Sequence, residues 1–167
     1  MHAVFTTALA LAGVAVAAPT LQARQESEFR LRAFGTKVDL LAWALINAHS
    51  DAGRNVIQIQ RPSVYQSDIS YLNGTNLFFD LGTAIPYGVQ MPEVPAGTVG
   101  LVTSQPGDHS TGFAIDANQQ LTYNSNAEGF WACPVNDVFE LFYGLNPVPA
   151  NLPSTECIEI HLQAGAV

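Results

Sequence analysis

Short segments in which apolar and polar residues alternate recur along most of this chain, and turn-forming residues separate them. The segment 29–33 alternates Phe, Leu and Ala with two arginines, which is the period of a half-buried β-strand. The segment 157–162 places aliphatic side chains on one side and Glu159 and His161 on the other. Roughly nine or ten such strands, with no alternation of strands and helices, predict an all-β fold, a single-domain antiparallel sandwich or barrel.

Turn signals and prolines delimit the individual strands. Asn73-Gly74 is a strong turn dipeptide and separates the predicted strands 64–71 and 77–81. Three prolines within 84–95 each remove a hydrogen-bond donor from a strand ladder, which predicts an edge strand or a loop there. The remaining short strands are predicted over 55–60, 99–103, 113–115, 121–123, 130–133 and 139–143.

One segment is ambiguous. Residues 38–48 (VDLLAWALINA) are apolar at nearly every position, so a buried strand and a buried helix both fit them. A turn signal over 50–53 follows, and 55–60 then alternates cleanly. A hairpin is therefore the simpler interpretation, with a helix followed by a strand as the alternative.

The N-terminal segment predicts secretion. Residues 1–18 carry no acidic residue, lysine or arginine, and an apolar run from Ala8 to Ala18 ends in small residues before Pro19. This is the pattern of a signal peptide, and it is shorter than the roughly 20 apolar residues of a membrane span. The polar segment 19–28 predicts a flexible leader, and 29–167 a single β-rich domain.

The charge balance excludes whole classes of partner. Six basic and fourteen acidic residues give a formal net charge of −8. Such a surface repels nucleic-acid phosphates and anionic lipid, so neither nucleic acid nor a membrane is expected as a partner. Charged residues make up only 12% of the chain, about half the usual fraction, and uncharged polar residues must cover the surface instead.

Cys133 and Cys157 are the only cysteines. Two cysteines in a secreted chain most simply form one disulfide, and two unpaired buried thiols are the alternative. The bond would close a loop of about 25 residues, worth roughly 3.5 kcal/mol. No cofactor is expected, and two cysteines with scattered histidines supply too few ligands for a metal site.

Asn73-Gly74-Thr75 is the only Asn-x-Ser/Thr sequon in the chain. It falls on a predicted turn, where an oligosaccharyltransferase could reach it in a secreted protein. We therefore predict glycosylation at Asn73, with an effect on solubility and surface shielding.

The histidines offer weak candidates for nucleophilic catalysis. His109 lies between Asp108 and Ser110 in a polar loop bounded by glycines. Residues adjacent in sequence rarely meet in the geometry of a catalytic triad, which is a tertiary constellation. His49 precedes a turn, and His161 should face solvent on the last strand. We predict no catalytic residue among them.

Carboxylates and aromatic residues provide two further candidate sites. Glu93, Asp137 and Glu140 lie near loops, but glycoside hydrolysis needs two acids on one cleft and the sequence selects no pair. Phe130 and Trp131 must face opposite ways on a strand, so one ring is available to a ligand. Glycan contact is a hypothesis for Trp131, Asp137 and Tyr143, with core filling as the alternative for the aromatic rings.

Several short motifs occur together in a recognisable order. The chain resembles small secreted proteins of filamentous fungi, of the cell wall protein PhiA-like or IgE-binding-protein-like type. That resemblance implies a fungal extracellular or wall-associated β-rich protein, with a disulfide between Cys133 and Cys157 and no catalytic centre. The motifs that carry it are the Phe-x-Leu-x-Ala strand at 29–33, Leu72-Asn73-Gly74-Thr75, Gly112-Phe113, Leu121-x-Tyr123, Phe130-Trp131-Ala132-Cys133-Pro134, Leu141-Phe142-Tyr143 and Cys157-x-Glu159-Ile160-x-Leu162.

Together these observations predict a non-enzymatic, secreted structural or binding protein of the fungal cell wall or extracellular space. Its expected partner is a cell-wall polysaccharide or a surface protein. One alternative is a secreted effector or carbohydrate-binding module that acts on a host or wall glycan. A second alternative is a small secreted hydrolase.

Overall fold

The computed structural model describes residues 27–35, 40–62, 64–107 and 109–167. The predicted signal peptide over 1–18, most of the predicted leader and Asp108 lie outside the described residues. The described strands are β1 (Phe29–Gly35), β2 (Trp43–Asp51), β3 (Arg54–Gln60), β4 (Ile69–Asn73), β5 (Asn76–Asp80), β6 (Tyr87–Gln90), β7 (Gly100–Leu101), β8 (Thr103–Pro106), β9 (Phe113–Ile115), β10 (Leu121–Tyr123), β11 (Phe130–Val135), β12 (Val138–Tyr143) and β13 (Ile158–Ala166). A single 3-10 turn, Pro149–Asn151, precedes β13.

Nine of these strands close into an antiparallel barrel. Going round it, the order is β1, β13, β11, β12, β3, β8, β6, β5 and β4, which returns to β1. β2 pairs with β3 along most of its length and with the end of β1, and β9 and β10 form a separate hairpin. The all-β prediction is confirmed, and the fold is a barrel, in which closure leaves few strand edges unpaired.

Alternation along the strands builds one interior. In β1 the side chains of Phe29, Leu31 and Ala33 are buried, whereas those between them are half-buried or exposed, as the sequence predicts. The other strands add inward-facing aliphatic and aromatic side chains to the same core. The largest fully buried side chains are Phe78, Phe79, Phe113, Phe130, Leu31, Leu40, Leu45, Ile57, Ile59, Leu121, Ile160 and Leu162.

Residues 38 and 39 of the ambiguous segment 38–48 lie outside the described residues, and the segment from Trp43 onwards belongs to a strand, β2. β2 and β3 pair in a hairpin whose two-residue loop contains Gly53, with a φ of +71°. A positive φ is accessible to glycine at little cost, which explains why the chain reverses there. The hairpin interpretation is confirmed.

The expectation of an edge strand or loop over 84–95 is wrong in part, because β6 lies inside the sheet between β5 and β8. Pro86 and Pro92 lie just outside β6, so neither removes a donor from its ladder. The predicted strand over 64–71 begins only at Ile69, and the predicted strand over 99–103 is split at Val102 into β7 and β8.

Cys133 and Cys157 form a disulfide that joins β11 to the residue before β13. Neither cysteine is free, so the predicted pairing is confirmed. Across the ranges that the structure describes, no helix is long and apolar enough to cross a membrane.

Ser67 and Asp68, which lie just before β4, form hydrogen bonds with residues of β1 and β2. The Ser67 hydroxyl donates to the Leu31 carbonyl oxygen (2.6 Å) and accepts from the Leu45 amide (3.2 Å). The Asp68 carboxylate accepts from the amide of Asn47 at 2.6 Å. These buried and partly buried hydrogen bonds stabilise the loop before Ser67, which carries Tyr65.

Candidate functional site

An open groove of about 300 Å³ lies where the loop after β3 meets the turn between β11 and β12; we call it the aromatic groove. Three aromatic side chains line it together with hydrogen-bonding and charged ones. Its lining residues are Trp43, Ile59, Gln60, Arg61, Val64, Tyr65, Asp137, Val138 and Phe139.

The strand register places two of the rings. Trp43 lies opposite Ala33 of β1, and Phe139 lies opposite Ile59 of β3. Directly opposite residues of antiparallel strands project to the same face, and Ala33 and Ile59 are fully buried. Trp43 and Phe139 therefore share the interior face near the end of the barrel, with ring centroids 5.8 Å apart and planes nearly perpendicular.

Arg61 lies beside these rings. Its guanidinium carbon is 5.5 Å from the centroid of the Trp43 ring, within the range of a cation–π contact. The residue is exposed, and no carboxylate among the described residues forms an ion pair with it. Arg61 is therefore held by an aromatic ring while its donors remain open to a ligand.

Tyr65 is the accessible ring of the groove, with 46% of its surface exposed. The amides of Val64 and Tyr65 both donate to the Arg61 carbonyl oxygen at 3.2 Å, which folds this loop back over the end of β3.

Asp137 reaches the groove from the turn between β11 and β12, where its φ of +68° follows a φ of +47° at Asn136. Asn and Asp are favoured in such two-residue hairpin turns, and the turn leaves the Asp137 side chain exposed.

A second open groove, of about 700 Å³, lies near the start of β1, at the end of that strand away from Trp43; we call it the sequon groove. Leu72, Gly74 and Thr75 line it, and Asn73 is exposed at the β4–β5 turn beside it. The other lining residues are mostly small or aliphatic, and Phe113 is buried. This groove offers few directional groups, and glycosylation of Asn73 stays a prediction.

The three residues predicted for glycan contact do not share one surface. Trp131 lies outward and half-buried, and its indole N–H donates to the Gly144 carbonyl oxygen at 3.1 Å. Tyr143 is only 8% exposed and packs against Phe130 in the interior, with ring centroids 5.2 Å apart. Asp137 alone lines the aromatic groove.

Three residues of the aromatic groove are not among those that the sequence predicts for a site: Trp43, Arg61 and Tyr65. Trp43 lies in the segment 38–48, whose uniform apolarity hides which face each residue occupies. Regular counting outward from the hairpin turn would place Trp43 opposite Pro62, but a bulge between His49 and Asp51 shifts the register by one residue, so that Ala44 pairs with Gln60 and Trp43 and Arg61 come next on the two chains. Tyr65 lies in a loop, whereas the sequence predicts a strand over 64–71.

The loop around His109 has a structural role. The Ser110 hydroxyl accepts from the Met91 amide at 2.8 Å, and the Ser110 amide donates to the Val89 carbonyl oxygen at 3.0 Å. The His109 ring packs over Gly88, and its Nε2 atom is buried with no hydrogen-bond partner in the described part of the chain. Ser110 and His109 are not hydrogen-bonded to each other.

The other histidines lie apart from this loop and from the aromatic groove. His49 is exposed at the end of β2, opposite Asn55. His161 lies on β13, opposite Phe34 of β1, and is half-buried. Its Nδ1 atom has no hydrogen-bond partner among the residues described. Within the described ranges no group of three His, Cys, Asp or Glu residues could hold a metal ion.

Of the candidate carboxylates, Glu140 has a perturbed environment. It lies on β12 opposite Cys133 and Gln58, and burial raises the pKa of its carboxyl above the ordinary 4.5. Glu93 lies in the connection between β6 and β7, and Asp137 lies in the turn described above. No two of the three share a groove.

Glu140→Gln is expected to raise the melting temperature at pH 7. Because the pKa is raised in the folded state, ionisation of Glu140 disfavours folding, and the stability present below pH 4.5 is lost as the pH rises through the folded pKa. Thermal melts of both proteins at pH 7 and at pH 3.5 test this. The gain should vanish at the acidic pH, and an equal gain at both values would show that charge is not its cause.

A family model described as Domain of unknown function (DUF7907) matches residues 26–166. No curated protein and no solved structure matches the chain. The family match spans β1 through β13 and so includes both grooves. The chain belongs to the family described as Domain of unknown function (DUF7907).

Proposed function

We propose that this protein is a non-enzymatic, secreted glycan-binding protein that contacts a saccharide through the aromatic groove. The observation that carries the proposal is a groove lined by the exposed Tyr65 and by Trp43 and Phe139, together with the charged side chains of Arg61 and Asp137. No catalytic step is part of the proposal.

The proposal follows from what a sugar presents to a protein. A pyranose ring has an apolar face of C–H groups that packs on an aromatic ring, and a rim of hydroxyls that both donate and accept hydrogen bonds. Tyr65 supplies exposed aromatic surface. Arg61 supplies donors only, and an ionised Asp137 supplies acceptors only. The volume of about 300 Å³ is at the lower end for ligand pockets, which suits a short stretch of a saccharide chain.

The sequence supports an extracellular setting for this binding. The segment 1–18 has the pattern of a signal peptide, and the resemblance to PhiA-like and IgE-binding-protein-like proteins favours the fungal cell wall. The proposal therefore takes a cell-wall polysaccharide as the partner, and a glycan on the exposed Asn73 as a modification of the protein itself.

Tyr65→Ala is expected to weaken saccharide binding about tenfold or more, because it removes the accessible stacking surface. Stacking on an aromatic ring is worth roughly 1–3 kcal/mol in the related case of nucleobases, and about 1.4 kcal/mol is a tenfold change in affinity. A glycan array with the secreted protein identifies the bound saccharide, and titration calorimetry then compares the variants.

Ile85→Ala is the matched control, since Ile85 is 56% exposed and does not line the aromatic groove. It should bind as tightly as the wild type. Trp131→Phe tests the site predicted from sequence, and it should also bind normally. Loss of binding in Trp131→Phe with normal binding in Tyr65→Ala would place the saccharide on the outer face of β11, and absence of binding to every glycan would refute the proposal.

A further inference from the structure

We infer that the saccharide bound in the aromatic groove is acidic, with a ring carboxylate that pairs with Arg61. This inference rests on the proposed function and names the class of ligand. Arg61 is one of only six lysine and arginine residues in a chain of net charge −8.

Three features of Arg61 favour the binding of an anion. It is exposed, it forms no ion pair with any described carboxylate, and Trp43 lies 5.5 Å from its guanidinium carbon. The contact with Trp43 restricts the side chain before a ligand arrives, so less conformational entropy is lost on binding. A planar guanidinium offers two parallel N–H donors to a carboxylate, which a neutral sugar hydroxyl cannot match.

One acidic side chain shares the aromatic groove with Arg61. Among the described residues, Asp137 is the only carboxylate that lines the groove, and it forms no ion pair with Arg61. An acidic saccharide would therefore place its carboxylate at Arg61, pack its ring near Tyr65 and direct hydroxyls towards Asp137.

The test compares two probes with the same sugar backbone, an oligogalacturonate and its methyl ester, in which esterification neutralises each carboxylate. Titration calorimetry with the secreted protein should give an affinity about tenfold higher for the acid than for the ester, as expected for one charge-assisted pair. Arg61→Gln should abolish that difference between the probes. Arg54→Gln, which replaces an exposed arginine at the other end of the β2–β3 hairpin, should retain it.

The outcomes separate this inference from the proposed function. Equal affinity for acid and ester, or a difference that persists in Arg61→Gln, overturns the assignment of Arg61. Binding of neutral glycans alone, weakened by Tyr65→Ala, overturns the acidic ligand and leaves the proposed function standing. If no glycan of any class binds, the proposed function and this inference fail together. Circular dichroism of Arg61→Gln and Arg54→Gln shows that both variants are folded.

Discussion

Replacing Cys133 with alanine is expected to lower the free energy of unfolding by about 3.5 kcal/mol. The disulfide joins residues 24 positions apart, and its loss frees that loop in the unfolded chain. Cys133 lies on β11 opposite Glu140 and is fully buried, so the truncation also removes packed atoms. At about 2–4 °C per kcal/mol for a domain of this size, the melting temperature should fall by roughly 10 °C.

Two controls assign that loss to the covalent bond. Cys157→Ala breaks the same bond at its half-buried end and should produce a similar fall. Reduction of the wild type with dithiothreitol should reproduce most of the effect, whereas the reductant should not change the melting temperature of either variant. A wild type that keeps its melting temperature when fully reduced would contradict the prediction.

Gly88→Ala is expected to destabilise the fold by about 3 kcal/mol through overpacking. A Cβ atom at this position would lie on the carbonyl oxygen of Gly107, far inside van der Waals contact, and 3.2 Å from the His109 ring. The Gly107 backbone cannot withdraw freely, because its amide donates to the Pro86 carbonyl oxygen at 2.9 Å. Either β6 or the loop that begins at Gly107 must move.

Gly165→Ala is the matched control, because Gly165 is also a strand glycine without a positive φ, and the nearest atom to its added Cβ is 3.9 Å away. Chemical denaturation should show a large loss for Gly88→Ala and little change for Gly165→Ala. Amide hydrogen exchange should locate the loss, with faster exchange at Met91 and Ser110, whose hydrogen bonds tie the loop to β6. Equal stability of Gly88→Ala and the wild type would show that the loop moves without cost.

The alternation of β1 could be predicted from sequence because one buried face imposes a period of two whichever strands pair with it, and the hairpin of β9 and β10 because its contacts lie within a few residues. The interior position of β6 could not. Sequence alone does not distinguish prolines that flank a strand from prolines within it, and only the pairing of β6 with both β5 and β8 shows that it is not an edge strand.

The sequence and the tertiary structure determine different features of this protein. Local sequence determined the all-β class, the turns and the disulfide, because alternation, turn chemistry and a lone pair of cysteines act over short range or without competitors. The aromatic groove depends on closure of the barrel, which brings Trp43 from β2 beside Phe139 from β12. Only tertiary structure decided that arrangement, since the strand partners, and hence the rings that meet, are chosen by burial of the whole interior rather than by neighbours in the chain.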